Sequence, residues 1–112
     1  HNTYMSPTLT IGDLLANDKT YSKRITAKAQ DALDASLHSV KLAIEAGINI
    51  GFGTDVFGDL MDHQGNEFLI RSKLQDNYSV IVSATATNAE MIQQKKNLNQ
   101  TYRKHYFLNL IN

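Results

Sequence analysis

The sequence changes from a helical to an extended pattern across residues 46–55, which read AGINIGFGTD. Gly47 supplies the left-handed position that commonly follows the last turn of a helix. The short apolar run at 48–53 is typical of a strand, and Asp55 lies in the polar loop that follows it. A helix, a glycine stop, a short apolar strand and a polar loop form the pattern of an α/β unit, which we predict here.

The segment before Gly47 has the spacing of an amphipathic helix. Within residues 22–46, apolar side chains recur mostly at steps of three and four, which places them on one face of a helix. They are Ile25, Ala29, Ala32, Leu33, Leu37, Val40 and Ile44. We therefore predict one long helix over 22–46, with this apolar face turned towards the rest of the protein.

The N-terminal part of the chain has weaker patterns. Residues 4–10 lean towards an extended conformation, but Pro7 has no backbone N–H and cannot donate to a sheet ladder. Such a proline belongs at the end or the edge of a strand. Residues 13–21 are polar and predict a loop, with at most one helical turn at 13–15.

A helix is predicted to begin near Met61 or Gly65. Glu67 and Arg71 stand four residues apart, with the acid before the base, and this spacing modestly supports a helix. On the simplest interpretation the two side chains form an ion pair on the surface of that helix.

The segment that begins at residue 78 has two interpretations. The β-branched residues within 78–82 favour a strand. The spacing of the apolar and small residues from Ile81 to Ile92 favours a helix, for which Ser79 is a plausible N-cap. We predict a helix. Residues 93–112 are rich in Asn, Gln and Lys and contain no motif.

The composition narrows the possible partners and compartments. Of the 112 residues, 42% are hydrophobic and 20% charged, and eleven basic residues balance eleven acidic ones. Without a dense basic stripe we predict neither a nucleic-acid partner nor a membrane partner. The absence of cysteine excludes disulfides and thiolate metal sites, and it fits a reducing compartment, so we predict a cytoplasmic protein.

Asp55 is the strongest candidate for a catalytic or metal-binding residue. A carboxylate just after the C-terminal end of a strand can bind a divalent metal ion or accept a proton from a water molecule. The structural alternative is a cap or a turn residue. His63, in the next polar segment, is a candidate for substrate binding, and its alternative is an ordinary solvated side chain. His38 and His105 are interpreted as structural or exposed, and His1 would lie at the cut end of a fragment.

Several blocks of the sequence resemble, in order and spacing, the metal-dependent amidohydrolase superfamily. Residues 46–55 look like its last barrel strand, and the nearest branch contains imidazolonepropionase-like enzymes and metal-dependent Xaa-Pro or related dipeptidases. Shorter blocks resemble the penultimate strand, the segment after the last strand, and the closing helix. They are Pro7-Thr8-Leu9, then His63-Gln64 with Glu67-Phe68 and Arg71, then Ser83-Ala84-Thr85 with Asn88-Ala89-Glu90-Met91.

The resemblance implies an α/β fold, namely the C-terminal fragment of a (β/α)8 TIM barrel with about two parallel strands and flanking helices. Residues 1–92 would be part of the barrel domain and residues 93–112 a divergent tail. It implies a hydrolase of amide or related C–N bonds in small, dipeptide-like or cyclic substrates, with one or two divalent ions, expected to be zinc. Asp55 matches the aspartate at the metal centre that also takes the proton of the attacking hydroxide. His63 matches a position near the substrate.

The sequence also departs from that pattern. Val80 stands where the superfamily often has a proline, and the glycine-rich strands expected after Ile92 do not follow. These departures suggest a truncated, split or frameshifted product. A catalytic zinc site needs about three protein ligands, so a chain with Asp55 alone is expected to be inactive by itself and to bind no metal in isolation.

Three other interpretations follow from the same residues. The chain could be a non-catalytic interaction module whose long helix over 22–46 docks a partner. It could complete an amidohydrolase barrel by association with a separate N-terminal fragment. Finally, an exposed sheet edge invites pairing with other chains, so self-association is a further expectation.

Overall fold

The structure is a computed structural model that describes residues 3–92. The elements in chain order are β1 (Tyr4–Met5), α1 (Leu9–Asn17), α2 (Lys23–Glu45), β2 (Asn49–Ile50), a 3-10 helix (Gly58–His63), α3 (Asn66–Arg71), α4 (Asn77–Val82), a π-helical turn (Ser83–Thr87) and α5 (Asn88–Met91). The predicted tail, 93–112, lies outside the described residues, as do His1 and His105. Within residues 3–92 no helix is both long and apolar enough to cross a bilayer.

The predicted fold class, an α/β fragment of a TIM barrel, is wrong. The structure is 66% helical, and its described residues contain two parallel strands of two residues each. Within residues 3–92 the apolar run at 48–53, predicted as a strand, pairs only at Asn49 and Ile50. Most of the packing is between helices, above all between α1 and α2. The fold is therefore a helical assembly that holds one short parallel ladder.

The ladder is short because of a proline. Tyr4 and Met5 pair with Asn49 and Ile50, and Gly51 N donates to Met5 O at 2.8 Å. In this parallel register the next donor would be the backbone N–H of residue 7, and Pro7 has none. The Gly51 carbonyl instead accepts a hydrogen bond from Arg71 Nη1 at 3.1 Å. The Arg71 side chain thus supplies the hydrogen bond that a backbone N–H at residue 7 would otherwise donate. This agrees with the predicted strand end at Pro7.

Helix α1 was not predicted, because its start depends on a residue far away in sequence. It covers Leu9–Asn17, where we expected an extended run followed by a polar loop. Its N-cap, Thr8, makes no side-chain capping bond. Glu67 Oε2 instead accepts from Thr10 N and from Thr10 Oγ1, both at 2.8 Å. A carboxylate at this position satisfies an unpaired N–H and complements the positive end of the helix dipole.

Helix α2 confirms the predicted long helix, over Lys23–Glu45, and Gly47 follows it with φ 68°. Leu33 and Val40 form the core with Leu9 of α1. The predicted apolar face is buried in its middle part, at Leu33 and Val40, whereas Ile25 and Ile44 near its ends are 47% and 37% exposed. The reason is length: α2 has 23 residues and spans about 34 Å, whereas the nine residues of α1 span about 13 Å.

The C-terminal helices confirm a helix in both predicted regions. The 3-10 helix and α3 occupy the region predicted near Met61 and Gly65. The N-cap of α4 is Asp76 rather than Ser79, and its carboxylate accepts from Ser79 Oγ at 2.6 Å and from Ser79 N at 2.9 Å. These two bonds lower the pKa of Asp76, the hydroxyl contributing most. Ser79, three residues after Asp76, therefore donates to the N-cap side chain and is not the N-cap itself.

Candidate functional site

The two strands end at the same edge of the ladder because they are parallel. Gly53 brings the segments that follow them together. A Cβ atom at Gly53 would lie 2.8 Å from Ser6 Oγ and 3.3 Å from Thr8 Cγ2. Any other residue would therefore require the side chains of Ser6 and Thr8 to move. We refer to Ser6, Thr8, Gly53, Thr54 and Asp55 as the carboxyl edge.

The backbone of the carboxyl edge is strained. Thr8 has φ 45° and Asp55 has φ 56°, and in residues 3–92 these are the two non-glycine residues with positive φ. This conformation is especially unusual for a β-branched threonine. Such residues cost about 1–3 kcal/mol each and cluster at functional sites. Thr8 follows β1 by three residues and Asp55 follows β2 by five, which makes this edge the first candidate for a site.

The Asp55 side chain is exposed and free to interact. Its carboxylate makes no hydrogen bond within residues 3–92, so it does not act as a cap in that part of the chain. The turn beside it contains only a long contact of 3.5 Å, from Val56 N to Thr54 Oγ1. An exposed carboxylate on a constrained backbone can accept a proton or contribute one ligand to a cation.

His63, the second predicted site residue, is exposed at the end of the 3-10 helix Gly58–His63. In the described part of the chain no hydrogen bond or ion pair joins it to Asp55. His38 is exposed on α2. The structure thus places His63 in the segment that follows the carboxyl edge, while its predicted role in substrate binding stays a prediction.

The described residues do not fit a divalent metal ion by themselves. Within 3–92 no three His, Cys, Asp or Glu side chains are grouped closely enough to hold one. A structural zinc site uses four protein ligands, and a catalytic one about three with an open position. Asp55 would be one such ligand at most. We therefore assign no metal-bound step to this part of the chain.

Beneath the carboxyl edge lies a buried polar network that the sequence did not reveal. Glu67 and Arg71 are both 0% exposed, so the interpretation as a surface ion pair is wrong. Glu67 holds the start of α1 through Thr10, and Arg71 holds β2 through the carbonyl of Gly51. Arg71 Nη2 also donates to Gln75 Oε1 at 3.1 Å. The network therefore connects the two segments that form the edge.

Burial has a cost in this network. Desolvation lowers the pKa of Arg71, and the nearby negative charge of Glu67 offsets part of that effect. In addition, Glu67 Oε1 and Arg71 Nε are buried without a hydrogen-bond partner. A buried donor or acceptor without a hydrogen bond costs free energy, and the attraction between the opposite charges of Glu67 and Arg71 offsets part of that cost. The i,i+4 spacing was visible in the sequence, but the burial that gives the pair its function was not.

A second side chain clamps β2 from its other side. Asn88 Oδ1 accepts from Phe52 N, and Asn88 Nδ2 donates to Phe52 O, both at 2.8 Å. The amide of Asn88 thus takes the place of a neighbouring strand. A Cβ atom at Gly51 would approach Asn88 Oδ1 to 2.7 Å, so glycine is required there for the clamp to close.

Comparison with family models of known proteins, with curated proteins and with solved structures gives no match for this chain. The carboxyl edge and the surfaces around it are therefore the features of this chain that bear on its function. That edge combines an exposed carboxylate, the hydroxyl groups of Ser6 and Thr54, and a backbone constrained at Thr8 and Asp55.

Proposed function

We propose that the carboxyl edge contributes Asp55 to a site that hydrolyses amide or related C–N bonds in small, dipeptide-like or cyclic substrates. The observation that carries this proposal is the position of Asp55: an exposed carboxylate with φ 56°, five residues after β2, that has no hydrogen-bond partner within residues 3–92. In this role Asp55 accepts the proton of the attacking water. The resemblance of residues 46–55 to metal-dependent amidohydrolases supports the same assignment.

The proposed site needs groups beyond those described. If the enzyme uses zinc or another divalent ion, as the resemblance implies, most of its ligands come from outside residues 3–92. His63 would contact the substrate from the segment after the edge. We also propose a cytoplasmic location, since a sequence with no cysteine suits a reducing compartment.

Substitution of Asp55 tests this proposal. The experiment uses the full-length gene product, supplied with zinc or manganese. We expect Asp55→Asn to lower kcat/KM for a dipeptide or cyclic amide by about 100-fold or more, which is the effect of removing a general base. Asp59→Asn, an exposed acid four residues later, is the matched control and is expected to change kcat/KM less than twofold. Equal rates for Asp55→Asn and the unsubstituted protein would refute the role of Asp55.

A second candidate function is a helical interaction module, and the exposure of α2 favours it. Of its 23 residues, the buried ones are Leu33, Val40 and Ala43. Its exposed apolar residues include Ile25 and Leu42, at 47% and 50%. Exposed apolar side chains of this kind are those with which a helix docks into a groove of a partner.

Partner binding through α2 can be measured directly. If a complex purified with the protein depends on this helix, Leu42→Asp is expected to weaken it at least tenfold, as for a residue central to an interface. Lys28→Asp, an exposed position on the same helix, is the control and should retain binding within about threefold. Hydrolytic activity in the absence of any such complex would favour the enzyme instead.

A further inference from the structure

The helix that carries Asn88 contains a π-helical turn, a rare conformation that often lies at functional sites. This turn covers Ser83–Thr87 and is held by the buried hydroxyl of Ser83, which donates to Val80 O at 2.6 Å. A π-helical turn contains about one residue more than an α-helical turn, so it rotates the residues that follow by about 100° around the helix axis. Asn88 is the first of those residues, and the direction of its side chain therefore depends on the turn.

The amide of Asn88 is matched to the backbone of Phe52 in chemistry and in position. It accepts from Phe52 N and donates to Phe52 O, both at 2.8 Å. An amide presents an acceptor and a donor side by side, whereas an ionised carboxylate of the same shape presents acceptors only. The fit is close, since a Cβ atom at Gly51 would lie 2.7 Å from Asn88 Oδ1 and 3.2 Å from Met91 Sδ.

Phe52 is the last residue before Asp55 whose backbone is hydrogen-bonded within residues 3–92. Its ring also packs against Phe68, with the ring centroids 4.3 Å apart. Asp55 follows this fixed point by three residues, a reach of at most about 10 Å. The Asp55 carboxylate has no hydrogen bond of its own in the described chain, so the backbone determines where it points.

The backbone of Asp55 needs such a fixed point. Its φ of 56° is disfavoured for a residue with a side chain. A conformation of this kind persists only where the surrounding structure imposes it. The two bonds from Asn88 to Phe52 are the nearest hydrogen bonds to the backbone on the β2 side of Asp55 in residues 3–92, and they are therefore suited to impose it.

We propose that Asn88 is a positioning residue for Asp55. Its amide fixes the backbone of Phe52, and the residues that follow then hold the Asp55 carboxylate in the direction from which it accepts the proton of the attacking water. This inference rests on the hydrolytic function proposed for Asp55. Because Asn88 acts through Phe52 and not on the substrate, it affects kcat and leaves KM nearly unchanged.

Substitution of Asn88 by alanine tests this role in the full-length gene product supplied with zinc or manganese. Alanine favours a helix, so α5 is retained while both bonds to Phe52 are lost. We expect kcat for a dipeptide or cyclic amide to fall about tenfold or more, the effect of a misplaced general base, with KM within about twofold. Asn77→Ala is the matched control, because Asn77 is the exposed first residue of α4, and its kcat should change less than twofold.

Amide hydrogen exchange, measured by NMR, separates a local effect from a general loss of stability. In Asn88→Ala the N–H of Phe52 is expected to exchange about tenfold faster or more, while the N–H of Val40 in the core of α2 stays within about twofold. Equal acceleration at Phe52 and Val40 would overturn the positioning role. If circular dichroism shows that the alanine variant loses its helices, Asn88→Asp takes its place, since it keeps the shape of the side chain but cannot donate to Phe52 O when ionised.

The two proposals fail in different ways. A kcat of Asn88→Ala within twofold of the unsubstituted protein, together with a large loss in Asp55→Asn, would overturn the role of Asn88 and leave that of Asp55. If the unsubstituted protein hydrolyses neither substrate, the proposed function fails. The exchange rate of Phe52 then decides alone whether Asn88 holds the carboxyl edge, and an unchanged rate would overturn that as well.

Discussion

Replacing Arg71 with methionine is expected to lower the free energy of unfolding by about 3–5 kcal/mol, the cost of removing one partner from a buried charged network. Arg71 is 0% exposed and donates to the carbonyl of Gly51 at 3.1 Å. Pro7 cannot supply that hydrogen bond, so the carbonyl would lose its donor. The carboxylate of Glu67 would also stay buried without the neighbouring positive charge.

Urea denaturation followed by circular dichroism measures this effect. Lys73→Met is the matched control, because Lys73 is an exposed basic residue two positions later, and its change is expected to stay within about 0.5 kcal/mol. A loss below about 1 kcal/mol for Arg71→Met would mean that the guanidinium reaches solvent and that the network is not buried. A domain of this size is stable by only about 5–15 kcal/mol, so the expected loss is a large part of the total.

Leu9→Ala is expected to destabilise the protein by about 2–5 kcal/mol, the range for truncating a buried leucine. Leu9 is the first residue of α1 and is 1% exposed. It packs against Leu33 and Val40 of α2 in the main core cluster, with Met5 and Ile50 of the two strands beside it. A cavity at this position would loosen α1, α2 and the ladder together.

The same denaturation experiment distinguishes a core position from a surface one. Leu69→Ala is the control, since Leu69 is 66% exposed on α3, and we expect it to cost less than about 1 kcal/mol. If both substitutions cost the same, α1 would not be packed as the structure has it, and the start of the helix at Leu9 would be wrong.

Elements with a strong local pattern were predicted well. The spacing of apolar residues and the stop at Gly47 predicted α2 almost to its ends. The helix that begins at Asn77 was also predicted, although its cap is Asp76 rather than Ser79. In each case the helical spacing lies within a few consecutive turns, which is the range over which sequence patterns are informative.

The errors lie where distant residues determine the structure. We predicted an extended run and a loop in the region of α1, because nothing near Thr8 shows that Glu67 binds Thr10 from 57 positions away. The barrel fragment was inferred from a resemblance and from the apolar run at 48–53. Only two residues of that run pair with another strand in the described chain, since Pro7 ends the ladder.

For the candidate site, the sequence singled out Asp55 and His63 but could not show how they are placed. The structure puts Asp55 on a strained, exposed edge and leaves it without a bond to His63 in residues 3–92. Asn88 and Arg71 belonged to blocks that resemble a known family, yet their roles as clamps on β2 appear only in the folded chain. Their spacing from Gly51 and Phe52 in sequence carries no local signal.

The amino-acid sequence by itself determined the long helix, its end at Gly47 and the end of the extended run at Pro7. Each depends on the conformational preference of one residue or on a periodicity within neighbouring turns. The tertiary structure alone decided which polar residues are buried, where α1 begins, and that the two strand ends meet. Those features need contacts between residues tens of positions apart, and such contacts form only when the helices pack and exclude water.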